Sequence, residues 1–585
     1  MAYDYDRILA ELALAVEAAG PNQVLDPSRI DHGCWYTGEY GMPVADHTTH
    51  SKVLAQAGYC LLAPHSPLEG DSALTERVLA GIAFVGRMQR DTGLIDLPKV
   101  DFDSPPDTAF LVQQLCPILE LTQKRSDVGD AVASHLKEVL TPVLDRAARG
   151  VIGRGFRTPN HRWVVCSALA YASTLLPDLD VRDYVDTIVA EGIDINADGD
   201  WSERSSAVYN AVCDRAMRLM ADHLDMPTLL DHVRANLELT ILMLEPDGSV
   251  ITAGSRRQDQ GSRVPPSALA DSFMDMAIRD GNGRFAEMAD RLACTTVTDQ
   301  SEWRLHPLLT HGRDRADAVT RRPILDRYTR HFERSRLWRA RRGEFSVTAA
   351  ATPSAPISVA YRHIAASLDL RGNYFNLACF QADVIEPTDA GVRLRHLGLE
   401  RMPPGWDLPL NRPVVFDNPH EGYYPLASDG TRDRWLLPPL DITMELKVVD
   451  DGFDLAIKTH GGLDRIPFVL EFRTDTGEYW ETTDAAIRAS EGQCVVLKAG
   501  NGTFVSNGQA IALTPGCDAH RAFHAGATVP KPGGFLVQIP LVTPVEYCLS
   551  LRCGSWSEAE RRIVNLLPGP RARSHRLTPS TSESE

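Results

Sequence analysis

The sequence predicts a multidomain protein, α then β: an N-terminal (α/α) toroid of helical hairpins followed by a C-terminal antiparallel β-sandwich. Three observations predict it. Apolar residues recur at helical spacing in punctuated blocks through residue 342. From residue 343 the pattern changes to short alternating or β-rich runs. The chain has 585 residues, and a single hydrophobic core stops growing near about 250–300. Helices first and strands second indicate separate layers rather than interleaved βαβ units.

The first helix reads Asp6-Arg-Ile-Leu-Ala-Glu-Leu-Ala-Leu-Ala-Val-Glu-Ala-Ala and stops at Gly20-Pro21. Comparable stretches run near 51–63, 74–90, 107–123, 128–147, 161–175, 181–191, 205–223, 226–244, 267–279 and 282–295. Punctuation such as Asp91-Thr-Gly and Pro246-Asp-Gly-Ser separates them. No short-period repeat of the solenoid kind is present. Many helices of similar length suit a closed ring of hairpins, with a plain bundle as the competing arrangement. Beyond residue 343, Phe345-Ser-Val-Thr-Ala-Ala-Ala, Ile442-Thr-Met-Glu-Leu-Lys-Val-Val and Phe468-Val-Leu-Glu-Phe-Arg read as strands of a large sandwich over 343–570. The stretch 571–585, rich in Ser, Thr, Arg and Pro, reads as a disordered tail. The junction of two such domains is a natural place for a ligand cleft.

Sixty Lys and Arg against 78 Asp and Glu leave a net charge of −18. That balance argues against nonspecific binding to nucleic acid or to an acidic membrane. It leaves room for an acidic ligand held by Arg and His inside a cleft. The eleven cysteines are odd in number and include no Cys-x-x-Cys pair, so buried thiols are expected rather than zinc or a disulfide framework. No apolar run approaches the ~18 residues of a membrane span. The start, Met-Ala-Tyr-Asp-Tyr-Asp-Arg, has no basic region of a signal peptide, and a cytoplasmic location is the expectation. No cofactor is implied, and a homo-oligomer is left open.

Three segments have residue types suited to chemistry. In Arg157-Thr-Pro-Asn-His-Arg-Trp, Asn160 reads as a helix N-cap, with His161 in the first turn and Arg162 beside it. An amide and an imidazole are both hydrogen-bond donors and suit a carboxylate. In Asp198-Gly-Asp-Trp-Ser-Glu-Arg-Ser-Ser-Ala-Val-Tyr-Asn, a helix is expected from about Ser205. That places Glu203 and Arg204 at its rim, with Tyr209 and Asn210 one turn inside. A tyrosine on an amphipathic helix is more often core packing. Asp194-Ile-Asn-Ala-Asp-Gly resembles the start of a calcium loop, but Ser205 stands where the bidentate Glu is needed. Downstream, Arg256 and Arg257 lie in a polar, Gly-flanked loop and could clamp a carboxylate through planar guanidinium groups.

Other loops are polar and aromatic. Trp35, Tyr36 and Tyr40 are candidates to stack on sugar rings. His47 and His50 follow three residues apart, with no third metal ligand identifiable, so no metal is expected. Asp107 lies at a helix start. In the β-region, His363 and His396 are the candidates to reach a cleft.

The pair Asn160-His161, the segment ending at Tyr209-Asn210 and the arginine loop together resemble the heparinase II/III-like superfamily of polysaccharide lyases. That superfamily is related to alginate, chondroitin and heparin lyases. The resemblance spans nearly the whole chain and implies β-elimination on a uronic acid. It implies that Asn160 and His161 neutralise the uronate carboxylate and that Tyr209 acts as base, acid or both. Arg204, Arg256 or Arg257 would then support the phenolate and hold substrate. His363 is the candidate second proton-transfer group, with His396 as its rival. Arg162, Glu203, Trp35, Tyr36, Tyr40, His47, His50 and Asp107 would line the substrate site. The acidic start without a leader points to exo action on short oligosaccharides.

Two other classes compete. A glycoside hydrolase on the same architecture needs two carboxylates flanking the bond, and Asp103, Asp107, Glu203 and Asp247 are available. A noncatalytic carbohydrate-binding protein would use the aromatic loop and show no turnover.

Overall fold

Helices buried on every side alternate along the first half of the chain with helices that keep a solvent face. The computed structural model describes residues 3–36, 41–154, 158–294, 301–351, 356–375, 377–398, 407–409, 434–436, 438–521 and 534–564. Tyr40 and the tail 571–585 lie outside them.

The first unit comprises Met1–Leu244 and Gly248–Leu325. Its helices are α1 (Tyr5–Ala19), α2 (His50–Leu62), α3 (Ser72–Met88), α4 (Pro105–Ser126), α5 (Ala131–Val151), α6 (Pro159–Leu175) and α7 (Arg182–Val189). They continue with α8 (Tyr209–His223), α9 (Leu229–Met243), α10 (Ala270–Asp280), α11 (Gly283–Ala293), α12 (His306–His311) and α13 (Arg313–Ala318). Nearly every residue of α2, α8 and α10 is buried, as are long runs of α4 and α6. A helix enclosed all round is an inner helix. By contrast, α5 buries one stripe, Leu136, Leu140, Val143, Leu144 and Ala147, and α11 buries Phe285, Met288, Ala289 and Leu292. Each large apolar side chain so enclosed contributes roughly 1.5–3 kcal/mol.

The inner helices pack in succession, α2 on α4, α4 on α6, α6 on α8 and α8 on α10. The 3₁₀ turn Ser301–Leu305 touches α10 on one side and α1 and α2 on the other, which closes the ring. One outer helix separates each inner helix from the next, so the inner helices run parallel. Their N-terminal turns therefore share one end of the ring. His50, Asp107, His161 and Tyr209 all lie in such turns.

The second unit comprises Glu245–Asp247 and Asp326–Glu585. Its described strands form two large sheets, of ten and nine strands, and a small two-stranded one. Pairing is antiparallel except where Cys494–Val496 lies parallel to Phe535–Val542. Leu368 and Leu370 of one sheet share a core with Leu394, Ile442 and Leu455 of the other, as a face-to-face sandwich requires.

This unit begins earlier than the expected residue 343. Arg327–Phe332 and Leu337–Arg342 are already strands, paired with each other and onto Phe345–Ala350. Their arginines obscure the apolar alternation. Glu245 groups with the strands because it accepts hydrogen bonds from both Arg339 Nη atoms at 3.3 Å and from the Ser346 hydroxyl.

Candidate active site

Asn160 does not cap α6. Thr158 is the cap residue, and Asn160 sits inside the first turn. Its amide nitrogen instead donates to both carboxylate oxygens of Glu203, at 3.0 and 2.8 Å. Glu203 is buried and also pairs with Arg257 Nη1 at 3.2 Å. The Arg257 guanidinium lies over the Tyr209 ring, 4.2 Å from its centroid. Asn160, Glu203, Arg257 and Tyr209 thus form one connected group, with Tyr209 half-buried at its edge.

Local structure explains how the partners meet. Helix α8 starts at Tyr209 rather than near Ser205. The Ser205 hydroxyl accepts from the Tyr209 N–H at 3.1 Å and its carbonyl from the Asn210 N–H at 3.0 Å. Arg204 turns the chain with a φ of 54°. Upstream, Trp201 anchors the loop by donating to Asp214 of α8 at 3.0 Å. Gly199 has a φ of 88°, and a Cβ there would stand 2.4 Å from the Ala235 carbonyl oxygen, so only glycine fits. The arginine loop is pinned onto the same segment: the Arg256 N–H donates to the Glu203 carbonyl at 3.0 Å, and its side chain to the Ser202 carbonyl at 3.2 Å. That pinning spends Arg256 on backbone and delivers Arg257 to the tyrosine.

A second cluster surrounds His161. His47 stacks on Phe110, with centroids 4.2 Å apart, and His161 meets the same ring edge-on at 6.2 Å. His47 Nδ1 stands 3.4 Å from Asp107 Oδ1. The Ser104 hydroxyl donates to Asp107 at 2.6 Å. Burial pushes the Asp107 carboxyl up, but His47, Ser104 and His161 outweigh it and hold it below the ordinary carboxylate range. Burial pushes the His161 imidazole below its usual value; Asp107 opposes this, while Arg257 and His47 reinforce it. Asn160 Oδ1 and His161 Nδ1 are buried with no hydrogen-bond partner within the protein, and such groups call for one.

These charges make a prediction. In an NMR titration His161 should protonate below ~6.5, the ordinary histidine value. Asp107→Asn should lower the midpoint further, because Asp107 is the neighbour that favours the cation. An unchanged or raised midpoint would remove Asp107 from the imidazole's surroundings.

Several expected site residues lie elsewhere. Trp35 is 2% exposed and packs against His50 and the bare backbone of Gly81, so it offers no stacking face. His50 is core: it accepts from the Trp35 N–H at 3.2 Å, and its other nitrogen meets the Gly81 carbonyl at 3.1 Å. Burial pushes it down to about 4. His47 and His50 therefore point to different surroundings. Tyr36 donates to Asp31 at 2.8 Å, and burial with that bond pushes its phenol up to about 12.

Arg162 turns away to Asp194 at 3.0 Å and covers the Trp163 ring. Asp194 is further held by the Trp163 indole and the Ser202 hydroxyl, so it braces the loop where a calcium ligand was conceivable. Arg204 faces Asp200 at 3.6 Å. In the second unit, His363 is exposed at the turn between Ile357–Tyr361 and Ile364–Tyr374. His396 is buried against Asp383. Phe110 had no role assigned from sequence. Its position three residues past Asp107 was the available signal, since that spacing puts both on one helix face.

Among the described residues no group of three or more His, Cys, Asp or Glu is placed to hold a metal ion. No helix among them is long and apolar enough to cross a membrane. No family model and no curated protein matches the sequence. Solved structures do match in fold. Heparinase III aligns with a TM-score of 0.53 at 12% identity, over 94% of this chain and 85% of that one. A heparan sulfate lyase HepC mutant from Pedobacter heparinus aligns with a TM-score of 0.51 at 11% identity, over 94% and 89%. With its helical toroid followed by an antiparallel β-sandwich, this chain shares the fold of these two lyases.

Proposed function

We propose that this protein is a polysaccharide lyase that cleaves an acidic, uronate-bearing glycan by β-elimination. The observation that carries the reading is the Arg257 guanidinium, which spans the half-buried Tyr209 ring and the Glu203–Asn160 pair. The proposed base is the Tyr209 oxygen, which takes the proton at C5 of the uronate. Arg257 sets a fixed positive charge over the ring of this tyrosine, beside the charge that develops in the transition state. The electron pair left at C5 is delocalised into the substrate carboxylate, so donors on that carboxylate stabilise the developing enolate. His161, on the first turn of α6, is the proposed donor; Asn160, fully buried with its amide nitrogen on Glu203, supports the site from behind. Asn160 and Arg257 both hold the Glu203 carboxylate, and that pairing supports the placement of Arg257 over the Tyr209 ring. Elimination then expels the C4 oxygen, and Tyr209 returns the proton to it.

Glu203 acts in this scheme through Asn160 and Arg257 rather than on the sugar. The second-histidine role assigned to His363 is not needed, since one tyrosine serves both proton transfers. Exo action on short oligosaccharides is the mode we propose with it. Hydrolysis fits less well, because it needs a carboxyl that stays protonated. Asp107 is held below the ordinary range, and both Glu203 oxygens face the Asn160 amide.

The test is a panel of uronate-containing oligosaccharides followed by ultraviolet absorbance and mass spectrometry. An unsaturated product, released as single units in the first turnovers, is the expected result. Reducing-end release with incorporation of water and no absorbance would replace elimination by hydrolysis.

A further inference from the structure

The same inner helices wall a cavity at their other end. Its volume is about 660 Å³, within the ~300–1,000 Å³ of small-molecule sites. It lies among the later turns of α2 and α4, with Tyr171 of α6 and His306 and Thr310 of α12. Glu120 in its wall is thirteen residues beyond Asp107, about 20 Å along α4 at the helical rise. Tyr171 is ten beyond His161, about 15 Å along α6. The cavity and the Tyr209 group therefore face opposite ends of the ring.

Two polar atoms in the wall are buried without a hydrogen-bond partner, Tyr59 Oη and His306 Nδ1. Tyr59 is 1% exposed and His306 6%. An orphaned buried polar atom is destabilising, and a ligand hydroxyl would satisfy either one. Both groups are uncharged: burial pushes the Tyr59 phenol well up, and it pushes the His306 imidazole down to about 3, with Arg218 adding to the effect.

The charges around the cavity are already paired. Glu120 holds Lys124 at 2.6 Å and the Tyr171 hydroxyl. Arg125 bridges Glu69 at 2.8 Å and Asp130 at 2.7 Å. Three carboxylates face two cations, and the carbonyl ends of α2 and α4 add partial negative charge. An anionic sugar is therefore disfavoured. Leu309 and the exposed Val128 supply apolar contact for the C–H face of a ring.

We infer that this cavity is a binding site for a small uncharged saccharide, separate from the candidate active site. The inference stands on the cavity alone and does not depend on the lyase reading. The test uses the full chain with glucose, cellobiose and glucuronate as probes, read by saturation-transfer NMR and calorimetry. Saturable binding of glucose or cellobiose is expected, weakened at least tenfold by Tyr59→Phe and retained in Asn160→Ala. Glucuronate should not displace it. Removing an orphaned hydroxyl should leave the melting temperature of Tyr59→Phe unchanged or raised. Thr310→Trp, which narrows the rim from an exposed position, should also block binding. Absence of saturable binding by both neutral probes would overturn the assignment. So would full binding in both Tyr59→Phe and Thr310→Trp, loss of binding in Asn160→Ala, or displacement by glucuronate.

Discussion

Tyr209→Phe is expected to lower the turnover number by at least about 10²–10⁴-fold, the usual contribution of a positioned proton-transfer group, with little change in substrate affinity. The substitution removes one oxygen and keeps the ring. Arg257 can still lie over that ring and pair with Glu203, so the shape and charge of the surroundings persist. A loss confined to turnover is the signature of an interaction used in the transition state. Because Tyr209 is proposed both to take the C5 proton and to return one to the leaving oxygen, no partial reaction should survive. The measurement is ultraviolet absorbance for turnover, with binding to the inactive variant followed by calorimetry. Activity near that of the natural chain would remove Tyr209 from the chemistry. A large loss of affinity with turnover intact would make it a binding residue only.

Arg257→Lys in the same assay separates charge from geometry. Lysine keeps the positive charge but has no planar group to stack on Tyr209 while meeting Glu203. Turnover should fall less than in Tyr209→Phe. Equal losses in the two variants would mean that the stacked geometry is as necessary as the hydroxyl.

The helix-then-strand order was readable because both patterns are local. Alternation in Ile442–Val449 and 3.6-residue spacing in Asp6–Ala19 need no partner to be seen. The chemistry was only half readable, because it depends on pairings between distant residues. Asn160 looked like a cap since Thr-Pro-Asn-His is a plausible helix start; its actual partner, Glu203, lies 43 residues away. Three arginines near Tyr209 were equivalent in sequence. The backbone bond from Arg256 to Glu203 decides which one meets the ring. Trp35 illustrates the opposite limit. An aromatic in a Gly-rich loop reads as exposed, yet Gly81 leaves room for its ring, and a Cβ there would sit 2.5 Å from Trp35 Cζ3. Exposure of an aromatic depends on what is missing from a neighbour, which no local pattern records.

Asp271→Asn is expected to destabilise the helical unit by about 3–5 kcal/mol, the cost of breaking a buried ion pair from one side. Asp271 of α10 accepts from Arg215 at 3.1 and 3.2 Å and from Arg218 at 3.0 Å, and all three side chains are buried. Asn keeps the shape but removes the carboxylate that two enclosed guanidinium groups share, while Asp275 stands 3.8 Å from Arg218. Burial raises the Asp271 carboxyl, but Arg215 and Arg218 outweigh it and hold it below its ordinary value; Arg218 does the same for Asp275. A depressed folded value gives stability that is present above the unfolded carboxylate pKa of ~3.9 and is lost as pH falls through the folded one. Chemical denaturation followed by helical circular dichroism should therefore show a shallower acid dependence in Asp271→Asn. Asp280→Asn serves as the control, because its partner Arg234 is more exposed, the pair spanning 2.8 Å; surface pairs contribute about 0–1 kcal/mol. Equal effects in the two variants would mean that the buried network does not hold the ring together. A large gap would identify the Asp271–Arg215–Arg218 network as what fastens α8 to α10.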